Sequence, residues 1–294
     1  MSPNPFLRCE KHVLDAFAAA TATQRVFRLK DLVGFLRQHE STWTLHQHAT
    51  TADLVEFLTS KQAIQAVRLT SEADYPPIRR FLAPGASPFE IALSLRRNSY
   101  LCHATAVFLH GLTGQIPQTI YVNREQSAKP RPSGPLRQEA LDRAFRSHQR
   151  SSRYVFIHRR NRFVLLSGKL TGGYGVITLS STRNENLRTT DLERTLIDIT
   201  VRPVYGGGVH AVLAAFRSSI DRISFSKLLA TLRALDYVYP YHQALGFYLE
   251  RAGAPADRLE PLRALGLSFD FYLAHGIEHP DYDPSWRIHF PKGL

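Results

Sequence analysis

The sequence predicts an α+β protein: an N-terminal winged helix-turn-helix, then a mixed α/β domain, then a C-terminal helical region. Three observations predict it. Three short amphipathic periods fill the first sixty residues and are followed by two alternating runs; the middle mixes both periods around a proline-rich basic loop; and past residue 188 helical periodicity punctuated by Gly and Pro dominates. The implied domains are a winged helix over 1–84, a basic α+β core over 85–188 and a mainly helical part over 189–294, the first boundary falling in the linker-like run APGASP at 83–88.

The first domain reads as three helices and a hairpin. Glu10–Thr21 carries Val13, Leu14, Phe17 and Ala18 on one face, Leu29–His39 carries Leu32, Val33, Phe35 and Leu36, and Thr50–Ser60 carries Leu54, Val55, Phe57 and Leu58. Thr50 and Thr51 are N-cap candidates, with Asp53 in the favoured acidic first turn. Ile64–Thr70 and Ile78–Leu82 then alternate as strands about a turn-rich Glu72–Pro77. In a winged helix the third helix enters a major groove and the hairpin lies along the backbone. Thr50, Thr51 and Lys61 are then candidates for bases or nearby phosphates, and Arg68, Arg79 and Arg80 for phosphates beside the wing.

A helical pattern from Pro88 to Leu101 leads into YLCHATAVFLHGLTGQIPQTIYV at 100–122, which reads as a helix, a glycine stop at Gly111 and a strand from Thr119. His103 and His110 stand two turns apart without a third ligand nearby, so buried or capping roles are expected rather than a metal site. Residues 125–137 form an exposed basic loop. Leu141–His148 is a short helix; Tyr154–His158 and Arg162–Leu166 are strands about the turn Arg159–Asn161; Gly175–Ser180 is another strand. Thr190 and Glu193 fit a capping box for a helix closed by Arg202 and Pro203. Helices at Val209–Ile220, Phe225–Leu235, Tyr241–Ala252 and Ala256–Leu265 follow, and a last strand is expected near Trp286–Phe290.

The net charge of +12 is unevenly placed: residues 1–84 hold 10 Lys and Arg against 8 Asp and Glu, residues 85–170 hold 14 against 4, and residues 171–294 hold 13 against 13. A localised, arginine-rich excess is the electrostatic footprint of a polyanion partner. Arg96, Arg97, Arg124, Lys129, Arg131, Arg159, Arg160 and Arg162 are therefore candidates for sequence-independent DNA contacts. Only Cys9 and Cys102 are present, without CxxC spacing, which fits a reducing cytoplasm and argues against structural zinc. No signal-peptide core or membrane-length apolar run is visible, so a cytoplasmic protein without membrane contact is expected.

Catalytic motifs are scarce. Gly172–Gly175 lacks the Lys and Ser/Thr of a P-loop and reads as a turn; Gly206–Gly208 reads as a hinge; HExxH and GxSxG are absent. Asp191 and Asp198 share a helical face where a metal could sit, but Glu193 and Arg194 intervene, so no catalytic residue, metal or cofactor is assigned.

HATAVFLHGLTGQIPQTIYV at 103–122, TDLERTLIDITVRPVYGGGVHAVLAAF at 190–216 and YPYHQALGFYLERAG at 239–253 together resemble the AbiEi family of type IV antitoxins. The resemblance implies a transcriptional autorepressor that binds inverted repeats of double-stranded promoter DNA; such binding would pair two copies across a two-fold axis, as a homodimer on the DNA or cooperatively. It also implies a counterpart to an AbiEii-type nucleotidyltransferase toxin, without a stable complex between the two. Alternatives are a degraded, nuclease-like metal-dependent enzyme and an interaction module that docks a partner through its basic face.

Overall fold

The computed structural model of the chain describes residues 3–43, 45, 49–130, 134–180 and 185–294. A 3-10 turn at Pro5–Cys9 leads into α1 (Glu10–Thr21), β1 (Val26–Phe27), α2 (Leu29–His39), α3 (Thr51–Ser60), β2 (Gln65–Ser71), β3 (Ile78–Leu82) and α4 (Pro88–Leu95). Next come β4 (Tyr100–Leu101), α5 (Ala104–Leu109), β5 (Thr119–Asn123), α6 (Gln138–Arg146), β6 (Val155–His158), β7 (Asn161–Leu166), β8 (Val176–Ser180) and β9 (Asn186–Thr190). The chain continues as α7 (Leu192–Val201), a 3-10 turn at Pro203–Tyr205, α8 (Val209–Ser219), α9 (Phe225–Leu235), α10 (Tyr241–Arg251), α11 (Ala256–Arg263), β10 (Phe271–Tyr272), β11 (Asp281–Asp283) and β12 (Ile288–Phe290). Among these described residues no helix is long and apolar enough to cross a membrane.

Two compact units result, one of residues 1–97 with 153–163, the other of residues 98–152 with 164–294. The first therefore runs past residue 84 and takes in the β6 hairpin. The second crosses residue 188 without a break, because Val107, Leu112 and Leu141 bury into one core with Leu196, Phe216, Leu245 and Trp286. Regions that differ in local pattern share a core when neither buries its apolar face alone.

In the first unit α1, α2 and α3 bury Phe17, Leu32, Phe35, Leu54 and Phe57 with Phe27 and Phe81 from the strands. The strand order is β1-β3-β2-β6, each strand antiparallel to its neighbour. Ala66 pairs with Phe81 and Arg68 with Arg79, so all four share one face, while Val67 and its partner Arg80 take the other. Because Phe81 packs into the helical core, the first face is the helix side. Behind the sheet stands α4, capped by Ser87, whose hydroxyl accepts from Glu90 N while the Glu90 carboxylate accepts from Ser87 N.

The second unit carries the strand order β7-β5-β4-β9-β8, with β4 and β5 antiparallel, β4 and β9 parallel and β8 and β9 antiparallel. Helix α7 is buried from Glu193 through Thr200, so its polar positions need internal partners. Gly246 on the equally buried α10 lies under the Trp286 ring, and a Cβ there would stand 2.1 Å from Trp286 Cζ3.

Three local expectations change. The helix expected from Pro88 to Leu101 stops at Leu95, and Tyr100–Leu101 is a strand whose partner Thr189 lies 88 residues away, so tertiary pairing overrides the local period. The helix after β9 is capped by Asp191, whose Oδ1 accepts from Arg194 N at 2.8 Å; Thr190 ends β9 and its hydroxyl meets that of Thr195. Glu193 is released from the expected capping box and accepts from Ser224 N and Lys227 Nζ.

Candidate nucleic-acid interface

The third helix contributes less to a basic surface than its sequence suggests. Thr50 is the N-cap of α3: its hydroxyl donates to Asp53 Oδ2 at 2.7 Å and accepts from Asp53 N at 3.2 Å. Thr51 is half-buried at the first helical position. Lys61 stands at the opposite end, ~16 Å along the axis at 1.5 Å per residue. There its ammonium meets Glu10 at 2.6 Å and lies over the Phe57 ring. The exposed side of α3 bears Ala52, Glu56, Thr59 and Ser60, so it carries no free cation of its own.

Positive charge gathers instead on the strands. Arg68 on β2 and Arg79 on β3 are exposed and directly opposed, on the helix side of the sheet. Neither has a carboxylate partner among the described residues, although the Arg79 guanidinium rests over Phe81 at 4.9 Å. Like charges directly across a strand pair are destabilising, by up to ~1 kcal/mol. β6 runs along the other side of β2, and its turn presents Arg159 and Arg160, both exposed, with Arg159 in the left-handed region at φ 54°. His158 just before them is held below the usual histidine range by burial and by the Arg159 charge, against an opposing hydrogen bond to the Arg68 backbone.

Other predicted cations divide by environment. Arg80 departs from the expected phosphate role. It is 8 % exposed and its guanidinium donates to Ser94 Oγ at 3.0 Å, Ser94 O at 2.8 Å and Arg79 O at 2.7 Å. Strand alternation turned it to the α4 side, and burial pushes its pKa down to about 10. Arg162 donates from Nε and one terminal nitrogen to the two Glu72 oxygens at 2.7 and 2.9 Å, a bidentate pair that also holds Glu72 below the ordinary carboxylate range. Arg97 is exposed just past α4, and Arg96 lies over the Tyr154 ring at 5.1 Å.

That ring belongs to a feature the sequence did not single out. Tyr154 is 44 % exposed and stacks on Tyr75 of the β2–β3 turn, centroids 4.6 Å apart. Exposed aromatics beside arginines suit base or sugar contacts. The only signal in the chain was Arg153–Tyr154 entering a strand, and nothing local pairs it with Tyr75. In the second unit Arg124 and Lys129 are exposed, the Arg124 amide donating to Leu166 O; Arg131 lies outside the described residues.

The acidic cluster of the second unit offers a weak contrast. Asp191 meets Lys227 at 2.9 Å, Glu193 meets the same ammonium at 2.8 Å, and Asp198 meets Arg194 Nε at 2.8 Å. Burial opposes the charge of Glu193, but Lys227 and the Ser224 amide outweigh it and hold it below the usual range. Each carboxylate thus faces a fixed cation. No group of three or more His, Cys, Asp and Glu able to hold a metal occurs among the described residues. The Gly172–Gly173 turn cradles an internal anion: Glu125 accepts from Thr171 N, Thr171 Oγ1 and Gly173 N. His103 and His110 are not a ligand pair, since His110 Nε2 bonds Thr190 O at 2.7 Å and His103 packs edge-on against Tyr205.

No protein-family model matches the chain, and no curated protein does. Among solved structures, the chain is similar to the crystal structure of the RV2827C protein from Mycobacterium tuberculosis. That likeness has a TM-score of 0.57 at 15 % identity and covers 99 % of this chain and 92 % of that one. It shows a common fold.

Proposed function

We propose that this chain is a cytoplasmic, DNA-binding antitoxin and autorepressor of the AbiEi kind, without catalysis of its own. The first unit is read as a winged helix: the order α1-β1-α2-α3-β2-β3, with β3 between β1 and β2, supports that reading. The observation that carries DNA binding is the Arg68–Arg79 pair, two exposed cations set opposite one another with no acidic partner among the described residues, continued by Arg159 and Arg160. Juxtaposed guanidinium groups repel one another in the free protein, and a phosphate between them turns that repulsion into two charge-assisted contacts. Because Arg68 and Arg79 project on the side of the sheet that bears the helices, a duplex lying on the wing would also face the α3 side.

DNA recognition on this reading is led by the wing. Helix α3 supplies shape and small polar groups at Ala52, Thr59 and Ser60, while phosphates are held by the strands. The antitoxin role rests on the three phrases that resemble the family, at 103–122, 190–216 and 239–253. Those phrases build β5 and helices α5, α7, α8 and α10 of the second unit.

Binding of the chain to its own upstream DNA, measured by fluorescence anisotropy against a scrambled duplex, tests the repressor role. Nanomolar binding to an inverted repeat, lost on scrambling and weakened in the Arg68→Gln/Arg79→Gln variant, is expected. Equal affinity for both duplexes would remove the repressor role. Growth rescue on co-expression with an adjacent nucleotidyltransferase tests the antitoxin role separately.

A further inference from the structure

We infer that the outer edge of β8 is a self-association surface, on which a second copy of this chain adds its own β8 antiparallel about a two-fold axis through Thr178. This inference stands on the geometry of β8 and does not require the DNA reading.

Strand β8 ends the order β7-β5-β4-β9-β8, and among the described residues it pairs only with β9. Asp191 N donates to Gly175 O at 2.7 Å, and the register carries that pairing on to Val176 with Thr190 and Ile177 with Thr189. Bonded and non-bonded pairs alternate along an antiparallel ladder. Ile177 and Leu179 therefore direct their backbone groups at β9, and Thr178 directs its N–H and C=O at the free edge. Val176 N is already engaged by Gly173 O at 3.0 Å, which leaves its carbonyl facing the same way as Thr178.

Such an edge is usually blunted by charge, proline, a bulge or a covering segment. Val176-Ile-Thr-Leu-Ser180 has no ionisable residue and no proline, it is rich in β-branched side chains, and among the described residues nothing pairs with its outer side. Ile177 is 37 % exposed, and Leu170 and Tyr174 on the loop before it are exposed too.

The pattern is self-complementary. With the axis at Thr178, its N–H donates to the carbonyl of the partner's Thr178 and its own carbonyl accepts the reciprocal bond; Val176 faces the partner's Ser180, and Ile177 meets the partner's Leu179 at the closer, non-bonded spacing. Arg188 stands opposite Thr178 on β9. Two copies of it would lie three strand spacings apart, ~14 Å, which exceeds the Debye length at physiological salt. The same edge of each copy is used, so the contact is isologous and closes as a dimer instead of growing into a fibre. A two-fold dimer is also the symmetry that an inverted repeat presents.

Analytical ultracentrifugation of the full chain over a concentration series decides the matter. A monomer–dimer equilibrium is expected, with the dissociation constant raised about 100-fold in Thr178→Pro, which removes an edge donor and two reciprocal bonds, and in Ile177→Lys, which adds charge to the edge. Both variants should keep the circular-dichroism spectrum of the parent, since the β9 ladder is untouched. In a Cys9→Ser background, Thr178→Cys is expected to give a disulfide-linked dimer on mild oxidation, because bonded pairs stand about 5.5 Å apart at Cα, within disulfide range. A parent chain that stays monomeric at every concentration overturns the inference, as does a dimer that survives both variants without Thr178→Cys cross-linking.

Discussion

Arg68 and Arg79 are Cα partners on neighbouring strands and share the helix-side face, while Arg80, one residue further on, lies behind the sheet with all three guanidinium nitrogens bonded. Consecutive arginines thus do opposite things. Replacing Arg68 and Arg79 with Gln is expected to shallow the slope of log affinity against log salt by ~1 to 2 units and to change stability by less than ~1 kcal/mol. Arg80→Ala is expected to cost about 1–3 kcal/mol of stability with the salt slope unchanged. Anisotropy titrations at several salt concentrations, paired with urea unfolding, distinguish the two. An equal slope change for Arg80→Ala and the double variant would refute the assignment.

Helix α7 carries an ion pair inside the second unit, with Arg194 and Asp198 only 5 % and 8 % exposed at the side chain. Burial opposes the charge on both, and Asp198 holds Arg194 firmly cationic. Removing one partner leaves an unpaired charge in a desolvated site. Asp198→Asn is expected to destabilise by ~3–5 kcal/mol, whereas Arg194→Met with Asp198→Leu recovers much of that loss. Denaturant midpoints of the single and double variants provide the comparison; a single variant as stable as the parent would show that the pair is dispensable.

Gly246→Ala is expected to fail by crowding. The added Cβ would sit 2.1 Å from one ring carbon of Trp286 and 2.2 Å from the next, and Trp286 is fully buried with its Nε1 donating to Glu250. A rigid ring cannot yield as a flexible chain end does, so a loss of about 3 kcal/mol or more is expected. Thermal melts of Gly246→Ala and of Gly246→Ala/Trp286→Leu test this. Restoration of stability in the pair would locate the strain at the ring.

Stability should fall on mild acidification. Burial pushes His103 down to about 3, and His110, His242 and His275 also lie below the usual range, burial being the largest cause for each. The unfolded chain therefore binds protons near pH 6.5 that the folded chain refuses. Full stability is present above about pH 6.5 and declines as pH falls toward 3, with a limiting slope of ~1.4 kcal/mol per pH unit from His103 alone. Melts between pH 7.5 and 4.5 should show the decline, and His103→Gln should flatten it; an unchanged slope would assign the effect to the other histidines.

The elements were legible where the residues needed to form them are neighbours. The periods of α1, α2 and α3, the Thr50 cap, the strand Ile78–Leu82 and the helices past Val209 follow from spacing and capping chemistry. The strands β4 and β9 were not legible, because Tyr100–Leu101 and Thr189 become a strand pair only by meeting. The same limit applied to the candidate site. Composition marked Arg68, Arg79, Arg80, Arg159, Arg160 and Arg162 alike as cations.

The sequence by itself determined a mixed α and β chain and a cluster of arginines. Tertiary structure alone decided which arginines remain exposed. Strand register set Arg68 against Arg79 and turned Arg80 to Ser94, and the placing of Glu72 within reach of Arg162 neutralised a residue that composition counts as basic. The physical reason is that charge is a property of a residue, whereas its availability depends on burial and on partners as far as 90 positions away.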